Sequence, residues 1–225
     1  TELIEYFYSG AYHQFILYFN INDYYIKDKT SYLKSLDEYI VQWFKLIPPS
    51  KPIALFQFYP SMGLIWDASD NITNELAGTA KVKMGGGQTS IVNSLNAVEN
   101  IFQAKPDTIK IILIKFLEKI VPRRDNAEVD LVAEKFQRWA LDETLIKNNN
   151  IIIGYTDNLQ MIRPELHGQG RRCKAIRLPL PTEEERQTFF KIIQSEGALQ
   201  TVELGQGSGS DSLSNLAAML RGFTL

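Results

Sequence analysis

Four short runs of almost uninterrupted apolar residues, separated by stretches of helical periodicity, constrain the fold of this chain most. The runs are residues 14–20 (QFILYFN), 53–59 (IALFQFY), 108–114 (TIKIILI) and 151–155 (IIIGY), and a shorter fifth run is 175–178. A strand that is apolar on both faces must be covered on both faces, which is typical of parallel sheets. The sequence therefore predicts an α/β fold with a parallel sheet of about five strands sandwiched by helices.

The segments between these runs carry apolar residues at helical spacing. Helices are predicted over residues 31–46, 90–103, 130–146 and 183–194. Ser31 and Thr182 are suitable N-cap residues for the first and last of these helices, and Pro48-Pro49 would stop the first. Residues 64–66 extend the second strand or form a hairpin with it. The polar stretch 67–89, which ends near three glycines, is predicted to be a loop.

The two ends of the chain predict its domain organisation. Residues 205–210 (GQGSGS) have the composition of a flexible linker, and residues 212–221 form one more short helical pattern. We therefore expect an α/β domain over residues 1–204, followed by a linker and a partial helical lid over residues 205–225. The chain begins at Thr1 without a basic or apolar leader, so we expect it to be part of a longer protein.

Composition narrows the classes of partner. The 225 residues are 44% hydrophobic, the formal net charge is −2, and Cys173 is the only cysteine. A single cysteine excludes an internal disulfide and a CxxC zinc site, and the weak negative charge argues against a nucleic-acid partner. No apolar run has the roughly 18 residues of a membrane span. We expect a cytoplasmic protein with no bound metal, and His13 and His167 form no metal cluster in the sequence.

An aromatic cluster lies near the amino terminus, at Tyr6, Phe7, Tyr8 and Tyr12. Aromatic side chains of this kind can stack on the bases of a single-stranded nucleic acid. No basic residues alternate with them, which favours hydrophobic packing or a protein interface.

The turn after the first strand is where a phosphate-binding loop lies in folds of this class. Such a loop has the pattern G-x4-G-K-[ST], in which the glycines let backbone N–H groups approach the phosphates, the lysine contacts them, and the hydroxyl binds Mg²⁺. Residues 23–30 read DYYIKDKT, with Lys29 and Thr30 in the expected places and Asp23 and Asp28 instead of glycine. The alternative is a chance Lys-Thr pair in a solvated loop, and neither interpretation predicts a working phosphate loop.

Two further strand ends carry residues in catalytic positions. The third strand should end in a metal-binding Asp followed by Glu, but Lys115 occupies the first position and Glu118 follows three residues later. Glu118 is either a displaced general base or a solvated surface residue. Asn158, just after the fourth strand, can orient a γ-phosphate or an attacking water, although Asp157-Asn158 is also ordinary turn chemistry.

Two adjacent arginines follow in a loop that contains glycine. Arg171 and Arg172 are suited to bidentate phosphate contacts, and a pair like this can act in trans on the nucleotide of a neighbouring subunit. The alternative is a surface pair engaged in salt bridges.

The order of these parts resembles the AAA+ ATPase family. The segments that carry the resemblance are IILIKFLEKIVP at the Walker B position, IIIGYTDN at the sensor-1 position, and RPELHGQGRRCKAIRLPLPTEEER from the arginine fingers into the next helix. Together with FNINDYYI and FQRWALDETL, they look like the degenerate N-terminal AAA domain of bacterial tandem AAA proteins. The resemblance implies that Asn158 is at the sensor-1 place, that Arg171 or Arg172 is at the finger place, and that an active AAA domain follows.

We therefore expect a non-catalytic AAA+ domain that scaffolds or regulates an ATP-driven protein-remodelling assembly, as part of an oligomer. Its partners would be other AAA domains and a protein client, and its degenerate nucleotide-binding residues would be Lys29, Thr30, Glu118 and Asn158. One alternative is an active ATPase, or an AAA+ domain that binds ATP and Mg²⁺ through an atypical loop. A second is a protein-interaction module without nucleotide.

Overall fold

A computed structural model describes residues 2–46, 51–85, 91–124, 126–168, 172–196 and 217–218. The chain divides into two compact units. The first, which we call the sheet unit, comprises Thr1–Phe19 and Pro49–Arg177. The second, which we call the hairpin unit, comprises Asn20–Pro48 and Leu178–Leu225.

Strands and helices alternate along most of the chain. The strands are β1 (Gln14–Phe19), β2 (Tyr25–Asp28), β3 (Ser31–Leu33), β4 (Ile53–Tyr59), β5 (Gly63–Ile65), β6 (Ile109–Ile114), β7 (Ile151–Thr156) and β8 (Cys173–Leu178). The helices are α1 (Glu2–Tyr8), α2 (Leu36–Leu46), α3 (Asn71–Thr79), α4 (Ile91–Gln103), α5 (Leu117–Ile120), α6 (Ala127–Leu141), α7 (Glu143–Lys147) and α8 (Glu183–Ser195). Two short 3-10 turns, Leu159–Met161 and Pro164–Leu166, connect β7 to β8.

The sheet unit is built on a six-stranded sheet with the order β5-β4-β6-β7-β1-β8. Strands β4, β6, β7 and β1 are parallel to their neighbours, and β5 pairs antiparallel with β4. Every residue of β6 and of β7 is buried, as expected for strands covered on both faces. The predicted α/β fold with a mostly parallel sheet flanked by helices is confirmed, with one antiparallel edge strand in addition.

A close contact between helix α5 and strand β7 depends on a glycine. A β-carbon added to Gly154 would lie 2.6 Å from Cδ2 of Leu117, closer than two carbon atoms can approach. Gly154 therefore allows α5, which directly follows β6, to pack against the neighbouring strand. This contact helps to fix the backbone at the end of β6.

Three predicted elements differ in the structure, and the first is the helix over residues 31–46. Residues 31–33 form strand β3, and the helix predicted over 31–46 begins only at Leu36. The capping contacts come from Ser35, whose hydroxyl accepts the Glu38 N–H at 3.3 Å, and from the Glu38 carboxylate, which accepts the Lys34 N–H at 3.0 Å. Ser31 is therefore not the N-cap residue; its hydroxyl donates to Asp28 instead.

The segment predicted as a loop over 67–89 contains helix α3, whose N-cap residue Asp70 accepts the Ile72 N–H. The helix predicted over 130–146 is divided at Asp142, which ends α6 and caps α7. The predicted stop at Pro48-Pro49, the linker 205–210 and most of the helix 212–221 lie outside the described residues. The division at residue 204 therefore stays a prediction.

The hairpin unit contains the antiparallel pair β2–β3 together with α2 and α8. Three aromatic rings pack together between the hairpin and α8. The ring centroids of Tyr24, Tyr32 and Phe189 lie 5.2–5.4 Å from one another. Thr182 caps α8 in a capping box with Glu185, which confirms the predicted start of that helix.

Candidate functional site at the carboxyl edge of the sheet

The parallel strands β4, β6, β7 and β1 end at one edge of the sheet unit. In open α/β sheets, ligands bind beyond this carboxyl edge. The residues that β6, β7 and β1 place there decide which chemistry the edge can support.

Lys115 is the first residue after β6, the position at which an Mg²⁺-binding aspartate is expected in a hydrolytic site. Its backbone N–H donates to the Phe58 carbonyl at 2.9 Å, which continues the strand ladder by one residue. Its ammonium group lies 4.2 Å from the centroid of the Tyr155 ring, so the cation contacts an aromatic face on the adjacent strand. The position therefore carries a positive charge and no oxygen ligand for a metal.

Phe116, the next residue, projects an aromatic ring into solvent. It is 52% exposed and its backbone is in the left-handed region, with φ of 53°. The ring of Tyr59, at the end of β4, has its centroid 6.4 Å away. A left-handed backbone is unfavourable for a bulky residue other than glycine, so the chain bears a conformational cost at an exposed aromatic position.

A second aromatic residue at the same edge shares this conformation. Phe19, the last residue of β1, has φ of 83° and is 40% exposed. The guanidinium carbon of Arg177 lies 4.2 Å from the centroid of its ring. Phenylalanines with a left-handed backbone thus occur at the end of β1 and two residues after the end of β6.

Glu118 lies in the short helix α5. One of its carboxylate oxygens, Oε2, is buried and has no hydrogen-bond partner among the residues described. The Glu118 carboxylate is therefore not a fully solvated surface group, and its buried oxygen accepts no hydrogen bond from the described residues.

Asn158, after β7, is engaged by its own turn. Its side-chain oxygen accepts the Gln160 N–H at 2.9 Å and caps the 3-10 turn Leu159–Met161. The buried Thr156 hydroxyl donates to the Asn158 carbonyl at 3.3 Å. These are the contacts of ordinary turn chemistry, and they occupy the side-chain oxygen that would orient a phosphate or a water.

The segment predicted to follow the register of a phosphate loop, residues 23–30, includes strand β2 and its turn in the hairpin unit. Asp28 accepts both the backbone N–H and the hydroxyl of Thr30 at 2.8 Å, and the Ser31 hydroxyl at 2.7 Å. These hydrogen bonds lower the pKa of the Asp28 carboxyl to about 2. Asp28 therefore organises a tight turn that contains Lys29 and Thr30, both exposed.

The other aspartate of this segment also has a structural role. Asp23 is buried, and its carboxylate accepts the Asn20 side-chain amide at 2.8 Å and the Tyr24 N–H at 2.9 Å. Both aspartates thus stabilise the chain around β2. Lys29 and Thr30 belong to the hairpin unit, whereas Glu118 and Asn158 belong to the sheet unit.

The sequence profile of the family "AAA+ chaperone, N-terminal Rossmann-like domain" matches residues 1–179. The chain belongs to this AAA+ family. The match includes all six strands of the sheet and the β2–β3 hairpin. No curated protein matches the chain.

Membership of this family supports a role for the AAA+ domain in a chaperone-type assembly. Within the described residues, no helix has both the length and the apolar character required to cross a membrane. The same residues contain no group of three or more His, Cys, Asp or Glu side chains placed to hold a metal ion.

The two arginine-finger candidates of this AAA+ domain are only partly described. Arg171 lies outside the described residues. Arg172 is exposed and lines a cavity of about 140 Å³, together with Gln14, Glu165 and Cys173. Glu165 Oε2 is buried without a hydrogen-bond partner in the described part of the chain. An exposed Arg172 is compatible with a contact in trans, which stays a prediction.

The two histidines lie apart from the carboxyl edge. His13 is buried, its Nδ1 is 3.2 Å from the Asn150 carbonyl oxygen, and burial lowers its pKa. His167 follows the second 3-10 turn and has a buried Nε2 with no partner among the described residues.

The aromatic amino terminus forms helix α1 and the turn after it. Phe7 is buried, and the Tyr6 and Tyr12 rings meet edge to face at 5.4 Å. The Lys174 ammonium group lies 4.4 Å from the centroid of the Tyr6 ring and 3.1 Å from its hydroxyl oxygen. Packing within the sheet unit thus accounts for Tyr6, Phe7 and Tyr12, while Tyr8 stays exposed.

Sequence reasoning missed Phe116 and Tyr155 as part of this edge. Tyr155 was included only as a buried strand residue, and Phe116 only as part of the segment IILIKFLEKIVP at the Walker B position. The available signal was Lys115-Phe116 itself, because a cation followed by an aromatic residue replaces the acidic pair expected where a Walker B strand ends.

Proposed function

We propose that this AAA+ domain is non-catalytic and that it scaffolds or regulates an ATP-driven protein-remodelling assembly. The observation that carries the proposal is the turn at residues 28–31, where Asp28 binds the backbone and hydroxyl of Thr30. A phosphate loop needs backbone N–H groups directed at the ligand. Here the Thr30 N–H and the Thr30 hydroxyl are already used by the protein.

The end of β6 supports the same proposal. Lys115 replaces the acidic ligand that Mg²⁺ requires, and its charge contacts the Tyr155 ring. Asn158 uses its side-chain oxygen to cap a turn. Three separate elements that would each contribute to nucleotide hydrolysis thus have other roles.

The partners that we propose are other AAA domains, in the same polypeptide or in neighbouring chains of an oligomer, and a protein client. We further propose that the protein is bacterial and cytoplasmic and that an active AAA domain follows this one. Arg171 or Arg172 would then contribute a guanidinium group to the nucleotide site of that neighbour.

A nucleotide assay on the chain tests the catalytic part of the proposal. We expect no ATP hydrolysis above that of Lys29→Ala, and no Mg²⁺-dependent ATP binding by calorimetry. ATP hydrolysis that Lys29→Ala abolishes would overturn the proposal. Micromolar Mg²⁺-dependent binding without hydrolysis would instead support the alternative of an AAA+ domain with an atypical loop.

The full-length protein tests the regulatory part. We expect Arg171→Ala/Arg172→Ala to lower the ATPase rate of the assembly, because an arginine finger is worth roughly a thousandfold or more in rate. Lys29→Ala, the matched control in the hairpin unit, should leave that rate unchanged. Equal rates for all three proteins would remove the proposed role of the arginines.

A further inference from the structure

A surface on the sheet unit joins exposed apolar side chains to exposed cations, and we call it the 116–124 surface. Its apolar members are Phe116, 52% exposed, and Met161, 55% exposed. Its cations are Lys119, Arg123 and Arg124, which are all exposed.

Backbone contacts connect the segment 116–124 to the turn that carries Met161. The Lys119 N–H donates to the Phe116 carbonyl at 2.8 Å, and the Arg123 N–H donates to the Met161 carbonyl at 2.8 Å. Pro122 and Ile162 form an antiparallel bridge between the two segments. The surface is therefore defined by fixed backbone and not by the conformations of long side chains alone.

The arginine that supports this region is itself fixed. Arg163 forms an ion pair with Asp130 at 2.5 Å and donates to the Arg124 carbonyl at 3.3 Å. Its backbone N–H donates to the Val121 carbonyl at 3.2 Å. Arg163 therefore stabilises the segment that carries Arg123 and Arg124.

The conformation of Phe116 points to a use for its ring. A left-handed backbone is unfavourable for a residue with a β-carbon, and an exposed phenylalanine recovers little of that cost by burial. Glycine would satisfy the same backbone without strain. Strained exposed side chains are typical of sites that contact another molecule.

We propose that the 116–124 surface binds a protein segment that carries carboxylates beside an apolar side chain. Phe116 and Met161 would contact the apolar side chain, because aromatic residues and methionine are enriched in interface cores. Lys119, Arg123 and Arg124 would pair with the carboxylates. Among the described residues, Asp157, after β7, is an exposed acid, exposed Asp130 is paired with Arg163, and Glu118 turns one carboxylate oxygen inward. The three exposed cations outnumber these two exposed acids, so cations predominate among the exposed charges named here.

Charge favours a protein partner over a nucleic acid. The chain as a whole has a net charge of −2, which does not attract a polyanion. Three exposed cations match a few carboxylates better than a continuous phosphate backbone, whose binding proteins neutralise many phosphates. The inference deepens the proposed scaffold role, on which it rests, but its test involves no nucleotide and so can fail independently.

The test is a selection of random peptides displayed on phage against the 225-residue chain, with counter-selection on Arg123→Glu/Arg124→Glu. We expect enriched peptides to place Asp or Glu next to an aromatic or aliphatic residue. The binding of a synthetic copy of an enriched peptide is then measured by fluorescence anisotropy. Its affinity for Arg123→Glu/Arg124→Glu and for Phe116→Gly should each be at least tenfold lower than for the wild type. The charge-matched control Lys81→Glu/Lys83→Glu, also at exposed positions, should bind as the wild type does.

Any of three results in the binding experiments would overturn the proposal. They are a selection without enrichment, peptide binding that both surface variants retain, and tighter binding of oligo-dT than of the peptide with the same dependence on Arg123 and Arg124. Self-association in sedimentation experiments that Phe116→Gly abolishes would identify a second copy as the occupant and would equally overturn it. Phe116→Gly removes the ring and relieves the backbone, so loss of binding with an unchanged or raised melting temperature cannot be ascribed to unfolding.

Discussion

The ammonium group of Lys115 lies 4.2 Å from the centroid of the Tyr155 ring, on the strand adjacent to its own. This contact places a cation at the carboxyl end of β6 and holds it against β7. Tyr155 is almost completely buried, so the ring presents one face to Lys115 and packs its remainder in the sheet unit.

The Lys115–Tyr155 contact predicts an energetic coupling. Urea unfolding of Lys115→Met, Tyr155→Leu and the double variant should give a coupling free energy of about 0.5–2 kcal/mol, the range of cation–π contacts. Lys119→Met, at an exposed position of α5, should change the free energy of unfolding by less than about 0.5 kcal/mol. Strictly additive effects of the two substitutions would show that the contact contributes nothing.

The left-handed backbone at Phe116 predicts a stabilising substitution. Phe116→Gly should raise the free energy of unfolding by up to about 1 kcal/mol, because glycine adopts φ of 53° without steric cost. Lys119→Gly, three residues later in α5, should lower it by about 1 kcal/mol, because glycine disfavours helix. If both substitutions destabilise equally, packing of the Phe116 ring outweighs the backbone strain.

The contact between Gly154 and Leu117 predicts that no β-carbon is tolerated at position 154. Gly154→Ala should lower the free energy of unfolding by about 1–3 kcal/mol through overpacking. Leu117→Ala should cost less in the Gly154→Ala background than alone, because it removes the clashing methyl group. Gly78→Ala is the matched control: an added β-carbon there meets no atom within 4 Å, and alanine should stabilise α3 by about 0.5–1 kcal/mol.

The Asp28 carboxyl predicts a pH-dependent stability. Its pKa falls from 3.8 to about 2 on folding, because Ser31 and Thr30 donate hydrogen bonds to the ionised form. The folded state therefore binds the proton more weakly than the unfolded state, so the stabilisation is present above pH 3.8 and is lost as the pH falls towards 2. Melting temperatures of the wild type and Asp28→Ala should differ at neutral pH and converge over that interval. A constant difference from pH 7 to pH 2 would contradict this origin.

The strands in the centre of the sheet were predictable because burial on both faces requires an apolar residue at almost every position. Residues of β6 and β7 are covered on both faces, so the apolar runs continue without alternation. The short β5 was predictable only as a hairpin continuation of β4, since three residues carry too little pattern to define a strand.

The β2–β3 hairpin was not predictable from periodicity. Leu33 is buried in a strand, yet its spacing from Leu36 and Ile40 also fits one face of a helix. The signal that identifies the true helix start is the sequence Ser35-Leu36-Asp37-Glu38, which has the S-x-x-E spacing of a capping box. The apolar residues fit both a strand and a helix here, and the capping sequence at Ser35 is what identifies the start of the helix.

Helix α3 was not predicted because few of its side chains are buried. Thr73, Leu76 and Ala77 are its buried residues, and Gly78 lowers its intrinsic helix propensity. The exposure of Phe116 escaped prediction for the opposite reason, because pattern analysis assigns an aromatic residue to the core. Its left-handed backbone follows from the packing of α5 against β7, which depends on contacts distant in sequence.

The turn closed by Asp28 restricts the evolutionary paths open to this domain. Replacing Asp23 and Asp28 with glycine would give this segment the sequence pattern of a phosphate loop, but it would also remove the hydrogen bonds to Asn20, Tyr24, Thr30 and Ser31 that stabilise the hairpin. Each single step towards that motif would weaken the existing fold before any phosphate could be bound. A phosphate loop at this position would therefore require the backbone of the hairpin to be rebuilt.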